Sequence, residues 1–157
     1  MKLRTLDWLR AHCKTAYREG RVVAMASGCF DVLHPGHIMY LQAAREMGDE
    51  LIVALNSDAS VQALKGPTRP LSTERNRALV LSALECVNHV LIFGEERVTQ
   101  TLEELRPCVW VKGGDYTLES LHAGERARAE SLGISIRFVP TVEGFSTSGI
   151  IKRLQEA

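Results

Sequence analysis

Short apolar runs alternate with amphipathic stretches along nearly the whole chain, and this alternation constrains the fold more than any other feature. Arg21–Ala26 (RVVAMA), Leu51–Leu55, His89–Phe93, Cys108–Val111 and Ile134–Val139 have the length and composition of strands buried on both faces. Helical spacing fills the gaps. Leu6–Arg18 repeats apolar residues at 6, 9, 13 and 16, and Pro35 opens a stretch whose stripe is Ile38, Leu41, Ala44 and Met47. A short helix through Leu64 follows the polar turn Asn56-Ser57-Asp58, and Ser72 is expected to cap a helix through Ala83. Further helices are expected over Val98–Leu105, Leu118–Leu132 and Ser146–Gln155. Strands alternating with helices predict an α/β fold, a five-stranded parallel sheet with helices on both faces. Ligands of such sheets bind beyond the carboxyl ends of the strands. With 157 residues and no internal repeat, low-complexity tract or linker, one domain over residues 1–157 is expected.

Composition narrows the function classes. Nineteen basic and nineteen acidic side chains give zero formal charge, so the electrostatic footprint of a nucleic-acid binder is missing. No apolar run is long enough to span a bilayer, and Lys2, Arg4, Asp7, Arg10, Lys14 and Arg18 break up the region where a secretory leader would lie. The four cysteines, at 13, 29, 86 and 108, form no Cys-x-x-Cys pair and read as reduced thiols. A cytoplasmic protein with no membrane or nucleic-acid partner is expected.

Chemistry concentrates where the first strand ends, in Ser27-Gly28-Cys29-Phe30-Asp31-Val32-Leu33-His34-Pro35-Gly36-His37. Gly28 permits a sharp turn and close approach to a ligand. His34 lies just before the helix and His37 in its first turn, so both imidazoles can face one space beside the free N–H groups of the turn. Such imidazoles can donate hydrogen bonds to phosphate oxygens as charge builds in a transition state. A dinucleotide fingerprint needs three glycines and only Gly28 and Gly36 are present; a Walker A loop is absent. Zinc on His34, His37 and Cys29 lacks a fourth ligand at useful spacing, so no metal site is expected. Cys29 has no matched base, which argues against nucleophilic catalysis. Trp8 and Trp110 read as packing residues, His89 as a strand opener and His122 as a residue on a helix face.

The His-Pro-Gly-His segment resembles the HxGH motif of the cytidylyltransferase-like nucleotidyltransferases, whose Rossmann-like fold is related to that of class I aminoacyl-tRNA synthetases. Three further segments, LIVALNSDASVQALK (51–65), LRPCVWVKGGDY (105–116) and EGFSTSGIIKRL (143–154), narrow the likeness. Together they resemble the bacterial D-glycero-β-D-manno-heptose 1-phosphate adenylyltransferases, stand-alone or as the C-terminal half of a bifunctional kinase–adenylyltransferase. The resemblance implies transfer of AMP from ATP, carried with Mg2+, to a sugar 1-phosphate, with ADP-heptose and pyrophosphate as products and lipopolysaccharide core as their use. It implies catalytic roles for His34, His37 and Lys65, the last being on the loop after the second strand. Gly28, Cys29, Phe30, Gly36, Arg77, Lys112, Gly113, Ser146, Thr147 and Ser148 would bind nucleotide and phosphate. Asp31, Asn56, Asp58 and Asp115 would bind the sugar phosphate, with helix capping as the alternative for Asp31 and the 56–58 turn. A homo-oligomer is also implied.

The chain departs from that pattern in two places. Ser27 stands where the heptose enzymes commonly have Asn, and Glu74-Arg75-Asn76-Arg77 offers two arginines for one role. A cytidylyltransferase acting on glycerol 3-phosphate or another polyol phosphate is the nearest rival. A non-catalytic nucleotide sensor is the rival from another class, and a pure oligomerisation module fails to explain the polar residues at strand ends.

Overall fold

The computed structural model describes residues 2–114, 116–140 and 147–156, the last stretch without the side chains of residues 147, 148, 154 and 155. Five strands, β1 (Val23–Gly28), β2 (Glu50–Asn56), β3 (His89–Phe93), β4 (Val109–Gly113) and β5 (Ser135–Val139), form one sheet in the order β3-β2-β1-β4-β5. Every pairing is parallel. The order reverses between β1 and β4, so the crevice beyond their carboxyl ends is the switch point at which such sheets bind ligands.

The pleat divides the core in two. Val23 and Met25 of β1, Ile52 and Ala54 of β2 and Trp110 of β4 point to one face. There they meet Leu9 and Cys13 of α1 (Leu6–Arg18), Leu102 and Leu105 of α5 (Thr99–Leu105) and Ala129 of α6 (Ala123–Ser131). Ala24, Ala26, Leu51, Val53 and Leu55 point to the other. They pack against Tyr40, Leu41 and Ala44 of α2 (Pro35–Arg45) and Ala78 and Leu81 of α4 (Glu74–Ala83). Strands covered on both faces have no polar side to show, which is why they read as unbroken apolar runs. Two helices complete the order, α3 (Asp58–Lys65) and α7 (Thr147–Gln155). None of the helices is long and apolar enough to cross a membrane among the described residues.

Element types agree with the sequence pattern, and several boundaries move. The cap of α4 is Thr73, which accepts from the Asn76 N–H, because the backbone of Ser72 is used elsewhere: its N–H by Asp31 and its carbonyl by Arg77. The helix expected from Leu118 starts at Ala123, since Thr117 and Ser120 bond each other's N–H groups in a local turn. Lys65 is the last residue of α3 rather than a loop residue; Gly66, with φ of 94°, ends the helix behind it. His122 occupies the N-cap position of α6, with no side-chain capping bond, instead of lying on a helix face.

Candidate active site

A cavity of about 540 Å³ opens at the carboxyl edge of the sheet, over the switch point between β1 and β4. His34 and His37 form one wall. His34 has extended backbone and is the N-cap of α2, with Pro35 in the first turn. Its carbonyl accepts the His37 N–H at 2.9 Å, and proline has no N–H, so Gly36 supplies the first-turn amide left for a ligand. The two imidazoles stack with ring centroids 3.9 Å apart, and both Nδ1 atoms are buried without a partner among the described residues. Burial pushes His37 down to about 4, aided by His34 and Lys65, and burial also lowers His34. Both shifts favour the neutral imidazole, which keeps one N–H to donate. A buried, unpartnered nitrogen on each ring is the kind of exception that marks a functional site.

Phe30 supports the pair from beneath. It sits in the left-handed region at φ of 45°, and its ring lies 5.3 Å from His37 and 6.3 Å from Tyr40, centroid to centroid. Gly28 makes room for that ring rather than for a sharp turn: a Cβ there would lie 3.1 Å from Phe30. Gly113 is required by the opposite neighbour, since a Cβ would meet the Tyr40 ring at 2.8 Å. Tyr40 in turn donates its hydroxyl to the Val111 carbonyl at 2.7 Å, tying α2 to β4.

Lys112 stands on the β4 side of the cavity. Its ammonium lies 4.6 Å from the centroid of Tyr116 and 5.4 Å from that of Trp110. Burial lowers its pKa, with the Glu125 carboxylate opposing. Gly28, Cys29, Phe30, Gly36, Asn56, Lys65, Lys112 and Gly113 all line the same cavity as the histidines. Burial raises the Cys29 thiol, which keeps it protonated and unsuited to attack.

Three expected ligand contacts are corrected. Arg77 is 3% exposed and does not line the cavity. Its guanidinium donates to the carbonyls of Ser72 (2.9 Å), Cys29 (2.6 Å) and Asn56 (2.8 Å) and pairs with Asp58 at 2.7 Å. Asp31 is buried and accepts from Arg69 Nε (2.6 Å) and from the N–H groups of Leu71 (2.8 Å) and Ser72 (3.2 Å). Asp58 also exchanges N-terminal hydrogen bonds with Glu74, each carboxylate accepting the other's N–H at 2.8 Å. These three form a floor that joins the β1–α2 loop, the end of β2 and the loop before α4. Between Arg75 and Arg77, it is Arg77 that is built in. Asn56 lines the cavity but is also held, donating to Ser60 Oγ at 2.8 Å.

Ser27 now has a partner: its hydroxyl accepts the Trp110 indole N–H at 3.1 Å. Trp110 is fully buried, as a packing residue should be. Asp115 and Ser146 lie outside the described residues; Thr147 and Ser148 begin α7, and their side chains are outside the description. The sequence reading missed Glu96, Arg97 and Glu125, which all line the cavity. Glu125 is buried and accepts the Val98 N–H at 3.3 Å. Its signal was its place in the first turn of α6, which a helix started at Leu118 conceals.

Residues 25–153 match the family described as Cytidylyltransferase-like. The chain belongs to the cytidylyltransferase-like family. It is 44% identical over 153 residues to the bifunctional protein HldE of Syntrophotalea carbinolica, covering 98% of this chain and 31% of that protein. The HldE of Geotalea uraniireducens is 47% identical over 154 residues, with the same coverage of 98% and 31%. The chain thus spans about a third of the length of these relatives. Among solved structures, it is similar to the lipopolysaccharide core biosynthesis protein of Thermoplasma volcanium GSS1. That likeness has a TM-score of 0.64 and 30% identity, and covers 78% of this chain and 98% of the other. As a member of this family the chain is a nucleotidyltransferase, and such enzymes generally take their nucleotide with Mg2+.

Proposed function

We propose that the chain transfers AMP from ATP to D-glycero-β-D-manno-heptose 1-phosphate, giving ADP-heptose and pyrophosphate for lipopolysaccharide core or a related glycan. The observation that carries this reading is the stacked His34–His37 pair, which lines a cavity together with Lys65 and Lys112. Similarity to the HldE proteins over 98% of the chain supports the choice of acceptor.

In this reading an oxygen of the sugar phosphate attacks the α-phosphorus of ATP in line, a P–O bond forms, and the bond to the β-phosphate oxygen breaks. Pyrophosphate leaves with that electron pair, and the protein forms no covalent intermediate. Catalysis is positioning and charge stabilisation. His34 and His37 donate N–H groups to the oxygens on which charge builds, with the Gly36 amide at the helix start beside them. Lys65 and Lys112 neutralise phosphate charge from two sides of the cavity, and Ser146, Thr147 and Ser148 hold the terminal phosphates. Asp115 and Asn56 take the sugar phosphate. Asp31, Arg77 and Asp58 act from the floor, holding the loops that carry these groups. Magnesium enters on the triphosphate as part of the nucleotide substrate, with water completing its shell. The protein works as a homo-oligomer in the cytoplasm and forms one domain over the chain.

Incubation with ATP, Mg2+ and heptose 1-phosphate is expected to release pyrophosphate, read against a His34→Ala control. No release above that control contradicts the proposal. Preferred turnover of CTP with glycerol 3-phosphate would move the chain to the rival substrate class, and tight ATP binding without turnover of any acceptor would make it a sensor.

A further inference from the structure

A second cluster of metal-ligating side chains lies at the opposite, amino-terminal edge of the sheet. Glu50 is the first residue of β2, His89 the first of β3, and His12 projects from α1. One carboxylate oxygen, Glu50 Oε2, lies 2.6 Å from His12 Nε2 and 3.4 Å from His89 Nε2. One ligand atom from each of the three residues falls within 4.8 Å of the others, and no other such group occurs among the described residues. The other carboxylate oxygen is held by Arg21, which turns Oε2 toward the two rings.

The geometry points to a divalent-cation site of the zinc class on His12, His89 and Glu50, with water as the fourth ligand. A tetrahedral ion at bond lengths of about 2.0–2.2 Å spaces its ligand atoms roughly 3.3–3.6 Å apart. The His89–Glu50 separation of 3.4 Å already has that value. The His12–Glu50 contact is a hydrogen bond, and it opens by about 0.8 Å when the ion replaces the shared proton. His12 then carries its ring proton on Nδ1. The donors are two imidazoles and one carboxylate, a set suited to zinc.

The surroundings are ordered as a ligand shell must be. Trp8 stacks on His12 (4.8 Å, 12°) and meets His89 edge-on at 5.0 Å, fixing both ring planes. All three side chains are partly buried, at 20%, 12% and 13% exposure for His12, Glu50 and His89, so an ion can enter. Arg21 leaves one carboxylate oxygen for the ion, and Arg4 lies over the Trp8 ring, 4.8 Å from its centroid. Loading would clamp α1 to the start of β2 and β3, a structural role at the edge away from the cavity.

Cobalt is the probe that tests this. Protein freed of metal by chelation is titrated with Co2+ alone, and the visible bands of four-coordinate cobalt are expected to saturate at one equivalent. Zinc should displace them, and the thermal unfolding midpoint should rise with loading. His12→Ala changes a residue on a surface helix, and it should weaken binding by at least about a hundredfold. His89→Ala should do the same, and a His34→Ala/His37→Ala double variant should keep the bands. No cobalt bands in the wild-type protein overturns the proposal and leaves the cluster a hydrogen-bonded clamp. Bands that survive His12→Ala but vanish in the double variant, or cobalt–thiolate charge-transfer bands, overturn it equally by placing the ion elsewhere.

Discussion

The two edges of the sheet each carry a pair of histidines, and the pairs differ in what stands between the rings. At the carboxyl edge His34 and His37 stack at 3.9 Å, and among the described residues neither ring has a carboxylate partner and both Nδ1 atoms are unpartnered. At the amino edge Glu50 lies between His12 and His89, with Arg21 behind it. A pair left without a counter-charge suits an anion that arrives with the substrate. A pair with a built-in carboxylate offers the mixed nitrogen and oxygen donor set that a cation takes. Residue type alone does not separate these roles; the neighbours do. The difference follows from the strands: their carboxyl ends run into loops that line an open crevice, and at the amino end of β2 Glu50 is met by His12 of α1.

The largest effect should come from the floor of the carboxyl edge. Arg77→Ala leaves Asp58 and the carbonyls of Ser72, Cys29 and Asn56 without their donor, and is expected to cost about 3–5 kcal/mol, read by chemical denaturation. A loss below about 1 kcal/mol would show that the loops hold themselves.

His37→Ala should leave folding nearly unchanged while lowering kcat by about 10²- to 10³-fold, the scale of losing one transition-state donor. That outcome separates the carboxyl-edge pair from the amino-edge pair, which is tied into the fold.

A smaller effect is expected from pH. Burial, aided by His34 and Lys65, lowers His37 from 6.5 to about 4 in the folded protein. At this position the unfolded chain therefore binds more protons between those values, so this contribution to stability is complete above about pH 6.5 and is lost as pH falls toward 4. His37→Asn should flatten that decline in the unfolding midpoint measured at pH 7 and pH 5. An unchanged slope would assign the acid sensitivity to other groups.

The smallest concerns the amino edge without added metal. His12→Gln removes one partly exposed hydrogen bond to Glu50 and should cost no more than about 1.5 kcal/mol by thermal unfolding. A loss comparable to that of Arg77→Ala would mean that both edges depend on buried networks alike.

Much of the architecture is legible in the sequence because burial on both faces leaves no alternation to misread: β3 has the bounds that its apolar run predicts, His89–Phe93. The end of β1 is less legible, since Ser27 and Gly28 look like loop but pair with Ala54 and Leu55 of β2. The His34–His37 pair is also legible, because its spacing, the helix start and the preceding glycine are all local. The floor is not. Asp31 finds Leu71 and Ser72 some 40 positions away, and nothing near Asp31 announces them. Arg77 carries a faint signal, lying on the buried stripe of α4 with Ala78, Leu81 and Ser82. The amino-edge cluster brings together positions 12, 50 and 89, a separation that no motif spans.

The most direct measurement is pyrophosphate release with ATP and CTP against a panel of phosphorylated acceptors, for the unaltered chain and for His34→Ala. Turnover of ATP with heptose 1-phosphate above all other pairs, lost in His34→Ala, is the expected result. Equal turnover by the variant, or no turnover with any acceptor, would contradict the assignment of the carboxyl-edge histidines to nucleotidyl transfer.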